Sequence, residues 1–451
     1  MNFSTRRAGL LLHPTSLPSG TLADAVRWLD FLHDAGFTVW QMLPLGIPLV
    51  GLSPYQCASA FAIDPALFPD EPVDLAGFAE WRERQAHWLD DFARFMVIKA
   101  EQGSAHWSDW PVELRDRDPD AMAAFDAAHA GALDAIMVAQ YGATLHWQAL
   151  RDAARARGIA LFGDMPIFVA HDSADVWARR DLFLLDETGQ STVVAGVPPD
   201  YFSATGQRWG NPHYDWAAMQ ADGFAWWRAR LAAHFEWFDL VRIDHFRGLV
   251  AAWAVPAEEP TAVKGEWLPA PGEALLQAVA DEMGELPLVA EDLGIITPDV
   301  TALRHRFGLP GMAVLQFAFD DHADNPHKPE NVHRDTVYYT GTHDNDTTPG
   351  WWRALPEALR DKVMQQLDVA DPDRVPDAMI DVVLKSDAAL AVLPLQDVLQ
   401  LGSDARMNTP GTDGGSNWAW RFDWSMLAPE LAPHLLEQLR NTDRCHRPHT
   451  P

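Results

Sequence analysis

Three acidic residues each close an apolar run in this chain. Asp244 ends FDLVRID, Glu291 ends LPLVAE and Asp344 ends TVYYTGTHD. A continuously apolar run is typical of a strand buried on both faces of a parallel sheet, and in a parallel barrel the C-terminal strand ends carry the active site. Carboxylates gathered there suit chemistry at an acetal carbon, where an ionised acid attacks while a protonated acid donates its proton to the departing oxygen. The pattern predicts an enzyme that acts on glycosidic bonds.

A fourth acid, Asp164 in LFGDMP, and one arginine extend this pattern. Arg242 stands two residues before Asp244, so both side chains should point to the same side of their strand, with the guanidinium keeping the carboxylate ionised. For any single acid, a helix N-cap remains an alternative, because Asp is favoured where a loop enters a helix. Four acids on separate strands are harder to explain as caps. Metal binding stays open on spacing alone, since Asp, Glu and His also ligate divalent ions.

These acids need a scaffold, and the apolar pattern predicts one. Amphipathic stretches at 23–36, 145–158 and 224–238 indicate helices between the strands. Strand and helix alternating eight times imply an α/β protein with a (β/α)8 barrel, the TIM barrel. The eight predicted strands are 9–14, 37–45, 159–169, 238–246, 286–294, 312–319, 336–344 and 391–399.

Two long connections interrupt the alternation. Residues 46–141 follow the second strand and residues 172–215 follow the third, both on the face where the active site is expected. Long structured connections within a compact domain are usually functional. We therefore expect one catalytic barrel domain over residues 1–451, with inserted subdomains at these two places and no C-terminal β domain.

The charge of the chain constrains its partners. Asp and Glu number 64 against 34 Lys and Arg, a formal net charge of -30. Non-specific nucleic-acid binding needs cations that neutralise phosphates, so a nucleic-acid partner is not expected. A neutral polysaccharide would be unaffected. The sequence leaves the oligomeric state, monomer or dimer, open.

Other sequence features bear on compartment and cofactors. Only Cys57 and Cys445 are present, without paired spacing, which fits a reducing cytoplasm. The apolar run at 9–12 is too short for an export signal, and no continuous run of eighteen apolar residues predicts a membrane span. Neither a phosphate-binding loop nor a dinucleotide-binding glycine motif is present. We expect neither a cofactor nor a metal; the irregularly spaced histidines 322, 327 and 333 indicate a solvated turn.

Several longer motifs together carry a family resemblance. From about Leu12 to Trp424 the chain resembles the 4-α-glucanotransferases called amylomaltases or disproportionating enzymes, which form glycoside hydrolase family seventy-seven of the α-amylase clan. The motifs are GLSPYQCASAFA (51–62), GDMPIFVAHDSADVW (163–177), GVPPDYFSATGQRWGNPHYDW (196–216), VRIDHFRG, VAEDLG, YTGTHDND and RMNTPGT (406–412).

The resemblance implies a role for each matching residue. Asp244 corresponds to the family's nucleophile, Glu291 to its general acid/base and Asp344 to its transition-state stabiliser. The positions implied to hold the nucleophile and the donor sugar are Asp164, Arg242, His245 and His343. The positions implied to belong to a lid over the cleft are Asp200, Gln207 and Trp209. Tyr55 corresponds to a substrate-contacting aromatic near the mouth, and Asn408 lies in a loop implied to contact substrate.

The implied reaction is transfer of a segment of an α-1,4-glucan, with retention, to the 4-hydroxyl of another maltooligosaccharide or of glucose. The region 68–141 is shorter than in many family members. A hydrolase on the same barrel would use the same acids and differ only in accepting water. Exclusion of water by a lid bearing Tyr201, Phe202 and Trp209 would favour a sugar acceptor. A catalytically silent glucan-binding protein should have lost one of the three acids, and all are present.

Overall fold

The computed structural model describes residues 5–49, 51–199, 203–412 and 414–445. The strands in this part of the chain are β1 (Arg7–Leu11), β2 (Val39–Gln41), β3 (Ala160–Met165), β4 (Val193–Val197), β5 (Gln207–Pro212), β6 (Leu240–Ile243), β7 (Ala251–Pro256), β8 (Glu266–Pro269), β9 (Leu288–Ala290), β10 (Gly311–Val314), β11 (Thr336–Tyr339) and β12 (Leu390–Pro394).

The helices of the described residues surround these strands. They are α1 (Ala25–Ala35), α2 (Phe78–Arg84), α3 (Leu89–Glu101), α4 (Val112–Arg115), α5 (Pro119–Ala156), α6 (Ala174–Ala178), α7 (Trp216–Ala221), α8 (Ala225–Trp237), α9 (Gly272–Met283), α10 (Pro298–Arg306), α11 (Thr348–Ala354), α12 (Glu357–Leu367), α13 (Val375–Lys385), α14 (Leu395–Val398) and α15 (Leu431–Asn441).

Eight strands form a parallel barrel, which confirms the predicted fold class. Their order is β10-β11-β12-β1-β2-β3-β6-β9, and each lies within or overlaps one of the eight predicted segments. The two ends of this order meet at a seam between β9 and β10. There the Ala290 N–H donates to the Pro310 carbonyl at 2.8 Å, and the Met312 N–H donates to Asp292 Oδ1 at 2.7 Å. A side chain thus replaces part of the main-chain ladder beside Glu291.

Alternation along the strands explains which residues face the barrel interior. Phe162 and Leu240 belong to an inner apolar cluster, whereas Leu161 and Val241 pack in the outer cluster that includes the helices. Side chains two residues apart share a face. Counting on from Leu240 places Arg242 inside the barrel, where it is buried.

The first insertion is mainly helical. Helices α2 and α3 come first, and α5 then runs for 38 residues with a break at His129. Tyr141, where the predicted insertion ends, lies inside α5. The Gln140 side chain binds the backbone of Ile63, accepting from its N–H at 3.2 Å and donating to its carbonyl at 2.9 Å. This pair of hydrogen bonds ties the start of the insertion to α5.

Helix α5 is also long and apolar enough to cross a membrane, judged by length and composition alone. Helices of soluble folds meet the same criterion, so this is weak evidence for a span. In the structure α5 packs against α2 and α3, and its buried side chains include Met122, Phe125 and Met137.

A second, antiparallel sheet lies outside the barrel and was not predicted. Its order is β5-β4-β7-β8, so it combines the insertion after β3 with the segment 251–269 that follows β6. These strands are short and each contains Gly or Pro, so their sequence gives little periodic signal. Beyond Trp424 the described chain continues into α15, which packs on α1 through Leu435 and Leu439.

Candidate active site

The C-terminal ends of four barrel strands, β3, β6, β9 and β11, bring the predicted acids together. Asp164 and Arg242 are paired residues on β3 and β6. Asp244 directly follows β6, Glu291 directly follows β9, and Asp344 lies in the loop after β11. Parallel pairing fixes the depth of these residues, so side chains far apart in sequence share one mouth of the barrel.

Arg242 joins two of the acids. Its Nη1 lies 2.8 Å from both Asp164 carboxylate oxygens, and its Nη2 lies 2.7 Å from Asp244 Oδ1. Burial alone would lower the pKa of Arg242, but the two carboxylates raise it well above its usual value. The guanidinium therefore stays cationic and places its positive charge directly against Asp244 Oδ1.

Tyr55 connects Asp164 to His343. The Tyr55 hydroxyl donates to Asp164 Oδ2 at 2.6 Å and lies 2.9 Å from His343 Nε2. Because the hydroxyl has a single proton, it accepts from His343, which places a proton on Nε2. The two rings also stack, with centroids 5.3 Å apart. This chain of contacts fixes the wall of the site on the side of Asp164.

Glu291 is held by two backbone donors. The His245 N–H donates to Oε2 at 2.6 Å, and the Leu293 N–H donates to Oε1 at 2.9 Å. Burial raises the pKa of Glu291 to about 7, reinforced by Asp244 and opposed by Arg242 and by these hydrogen bonds. Glu291 can therefore carry a proton near neutral pH, as a general acid must.

Asp344 is oriented by a different loop. Asn408 Nδ2 donates to Asp344 Oδ1 at 2.6 Å, and His343 Nε2 lies 3.4 Å from the same oxygen. The Asn408 N–H also donates to the His343 carbonyl, and Arg406 donates to the Asp344 carbonyl. The resemblance implied that Asn408 contacts substrate; in the structure its amide contacts the carboxylate of Asp344.

Of the three predicted lid residues, Trp209 lies beside His245 and Gln207 binds Trp209. The Trp209 ring meets the His245 ring edge to face at 4.8 Å, and Trp209 Nε1 donates to Gln207 Oε1 at 3.1 Å. His245 adopts a left-handed backbone, with φ 52°, and burial lowers its pKa to about 4. Asp200, the third predicted lid residue, lies outside the described residues, as do Tyr201 and Phe202.

The structure adds two residues that the sequence interpretation did not single out. Asp397, at the end of the eighth apolar run, is buried and accepts from Thr340 Oγ1 at 2.5 Å and from Thr348 N at 2.6 Å. It braces the loop that carries Asp344, and the same strand-end pattern could have identified it. Trp418 lies against Tyr55 and His343, with ring centroids 5.9 Å from each. No chemical motif in the sequence marked it among the other tryptophans.

Among the described residues, no group of three or more His, Cys, Asp or Glu side chains is placed to hold a metal ion. His327, one of the histidines considered for a metal, instead accepts a hydrogen bond from the Val314 N–H at 3.2 Å through its Nδ1. The acids at the barrel mouth are paired with Arg242, Tyr55, Asn408 and backbone N–H groups. The arrangement provides a carboxylate beside a guanidinium, a carboxyl group whose pKa is raised to about 7, and a third acid on the neighbouring wall, a set suited to chemistry at a glycosidic bond.

Comparison with known proteins gives a consistent result. A family model described as 4-alpha-glucanotransferase matches residues 11–75 and 70–426. A 4-alpha-glucanotransferase of Thermus thermophilus is 47% identical over 97% of this chain and 99% of its own length. The 4-alpha-glucanotransferase of Synechocystis is 44% identical over 95% of this chain and 96% of its own length.

A solved structure agrees with these sequence matches. An amylomaltase from Streptococcus agalactiae, in complex with acarbose, superposes with a TM-score of 0.93 at 31% identity, covering 98% of this chain and 100% of that one. The family match divides at residues 70–75, within the region predicted to be shorter than in many members. The chain belongs to the 4-alpha-glucanotransferase family.

Proposed function

We propose that this enzyme transfers α-1,4-glucan segments by a double displacement in which Asp244 is the nucleophile, Glu291 the general acid/base and Asp344 the transition-state stabiliser. The observation that carries the proposal is the Arg242 guanidinium between Asp164 and Asp244, with Glu291 bound to the N–H of the residue after Asp244. Asp244 is thereby held against a cation, while burial raises the pKa of Glu291 to about 7 within the same cleft.

In the first step Asp244 attacks the anomeric carbon while Glu291 protonates the glycosidic oxygen, so the glucan bond breaks and a glycosyl ester of Asp244 forms. The Arg242 guanidinium lies against Asp244 Oδ1 and orients it for the attack. Glu291, whose pKa is raised to about 7, supplies the proton. A glucose or shortened glucan leaves with that proton.

In the second step the ionised Glu291 takes the proton of an incoming 4-hydroxyl, whose oxygen displaces Asp244 from the anomeric carbon. Positive charge develops at the sugar ring in both steps. Asp344 is fixed through Oδ1 by Asn408 and His343, so a preorganised negative charge faces the site without reorganising during the reaction.

The remaining predicted residues shape the cleft. Tyr55, Asp164 and His343 form the wall that holds the donor sugar, while Gln207 and Trp209 form part of a lid that excludes water. Exclusion of water favours a sugar acceptor over hydrolysis. The two insertions act as subdomains that frame this cleft within a single catalytic domain.

The substrates in this proposal are maltooligosaccharide donors, with maltooligosaccharides or glucose as acceptors. The net charge of the chain, -30, supports the proposal that neither nucleic acid nor an anionic membrane surface is a partner. Cys57 and Cys445 are both free, which supports a reducing compartment such as the cytoplasm.

The reaction can be tested with maltotriose as the only substrate. Transfer should yield glucose and longer maltodextrins while the total concentration of reducing ends stays nearly constant. A steady rise in reducing ends without longer products would show hydrolysis instead. Product chromatography combined with a reducing-end assay distinguishes the two outcomes.

The role of Asp244 can be tested by Asp244→Asn, which should abolish turnover while the thermal unfolding transition is retained. Asp134→Asn changes an exposed acid on α5 and is the matched control, with activity expected to be unchanged. Substantial activity in Asp244→Asn would show that the nucleophile is a different residue.

A further inference from the structure

Trp418 has an unusual backbone conformation for so large a residue. Its φ is 64°, in the left-handed region that normally suits glycine. Its N–H donates to the Met407 carbonyl at 2.7 Å, and this hydrogen bond joins the two ends of the loop 406–418. Strained residues persist where surrounding structure fixes them, and they concentrate at functional sites.

The side chain of Trp418 extends an aromatic wall of the active site. Its ring lies 5.9 Å from the ring of Tyr55 and 5.9 Å from that of His343, and it remains half-buried. Tyr55 in turn binds Asp164, and His343 lies beside Asp344. Trp418 therefore contacts Tyr55 and His343, which themselves contact the acids, and lies one ring further from the acids than they do.

The position of Glu291 indicates the direction in which this wall leads. A general acid lies on the side of the leaving group, and Glu291 and its neighbour His245 lie with Trp209. Tyr55 instead binds Asp164, and His343 lies beside Asp344. The wall that ends in Trp418 thus lines the donor side of the cleft.

We propose that Trp418 is a substrate-binding residue whose ring packs on the donor glucosyl unit adjacent to the one that Asp244 attacks. An aromatic ring can pack on the apolar C–H face of a sugar ring and bury it from water. The ligand is an α-1,4-glucan with at least two units on the donor side. This inference rests on the proposed roles of Asp244 and Asp344.

Glycosyl fluorides test the inference because they separate the two donor positions. α-Glucosyl fluoride fills only the attacked position, whereas α-maltosyl fluoride also fills the adjacent one. With either donor a bond forms between Asp244 and the anomeric carbon as the carbon–fluorine bond breaks, and fluoride leaves with the electron pair. Maltose serves as the acceptor, and a fluoride electrode measures the rate.

Trp418→Ala should lower kcat/KM for α-maltosyl fluoride about tenfold and change that for α-glucosyl fluoride by less than about twofold. Trp418→Phe should recover most of the loss. Trp420→Ala, which removes a half-buried ring two residues further along the chain, is the matched control and should leave the ratio of the two donors unchanged. Equal losses with both donors would overturn the inference, as would no loss with either.

A second variant separates binding from folding. Trp418→Gly relieves the left-handed backbone, so its Tm should equal or exceed that of Trp418→Ala, while the preference for the longer donor is lost as fully. Retention of that preference in either variant would also overturn the inference. Fluoride release that survives Asp244→Asn would instead contradict the proposed nucleophile, so the two failures are distinguishable.

Discussion

The backbone N–H of His245 donates to Oε2 of Glu291 over 2.6 Å, which joins the residue after the proposed nucleophile to the proposed acid/base. A second backbone donor, Leu293, binds Oε1. Both hydrogen bonds favour the ionised carboxylate, yet burial outweighs them and raises the pKa of Glu291 to about 7. The orientation of Glu291 is thus fixed without loss of its proton.

This pKa predicts the alkaline limb of the pH profile. Only protonated Glu291 can protonate the leaving oxygen, so kcat/KM for maltotriose should fall as pH rises through about 7, approaching tenfold per pH unit. The initial rate of glucose release, measured between pH 5 and 9, gives this limb directly. An alkaline limb that begins only above about pH 9 would assign the proton to another group.

A glycosyl fluoride provides the control for that profile. Fluoride leaves without being protonated, so the first step with α-maltosyl fluoride should not require the proton on Glu291. Single-turnover fluoride release should therefore stay nearly constant from pH 6 to 8. The same decline with both donors would place the titrating group elsewhere.

Arg242→Lys should lower kcat by about a hundredfold or more. One ammonium group cannot reproduce the planar fork that binds Asp164 and Asp244 together, so Asp244 loses its partner or Asp164 is left buried without one. Arg208→Lys changes an exposed arginine of β5 and should have no such effect. Kinetics on maltotriose, with thermal unfolding of each variant, test the prediction; near-normal kcat in Arg242→Lys would contradict it.

Asn408→Ala should lower kcat about tenfold with a smaller effect on KM. It removes the hydrogen bond to Asp344 Oδ1, a charge-assisted contact worth about 1.5 to 3 kcal/mol. Asn417→Ala is a matched control, since Asn417 binds Thr409 and Thr412 within the same loop. If the two variants lose activity equally, general order of the loop, and not the contact with Asp344, is responsible.

Arg444→Ala should destabilise the protein by about 3 kcal/mol without changing kcat at low temperature. The fully buried guanidinium donates to the carbonyls of Arg7, Leu384 and Ser386, which would be left without these partners. Arg7 begins β1, and Leu384 and Ser386 lie at the C-terminal end of α13, which leads into β12, so these contacts lie at the opposite end of the barrel from the active site. Urea unfolding measures the loss, with exposed Arg440→Ala as the control; equal midpoints for the two variants would contradict the prediction.

The barrel strands could be predicted because each is covered on both faces. Burial on both sides demands a continuous apolar run, and the runs around Leu240 and Val392 are visible without any structure. The strand ends therefore also located Asp164, Asp244 and Glu291. Asp397 follows the same rule, and its bracing contact with Thr340 could have been anticipated.

The antiparallel sheet could not be predicted in the same way. Its strands β4 and β7 come from different connections, so their pairing depends on how the barrel places these connections side by side. Nor did the sequence reveal the seam, where the Asp292 side chain accepts from Met312 N in place of a main-chain group. Such contacts depend on distances between elements and leave no periodic trace along the chain.

The sequence by itself determined the barrel, the identity of the acids and, through its motifs, the family. These follow from local properties: apolar runs, strand ends and the short spacing that sets Arg242 beside Asp244. Only the tertiary structure decided what each acid experiences. The pKa of Glu291, the contact of Asn408 with Asp344 and the place of Trp418 beside Tyr55 depend on burial and proximity between distant segments, which the fold alone creates.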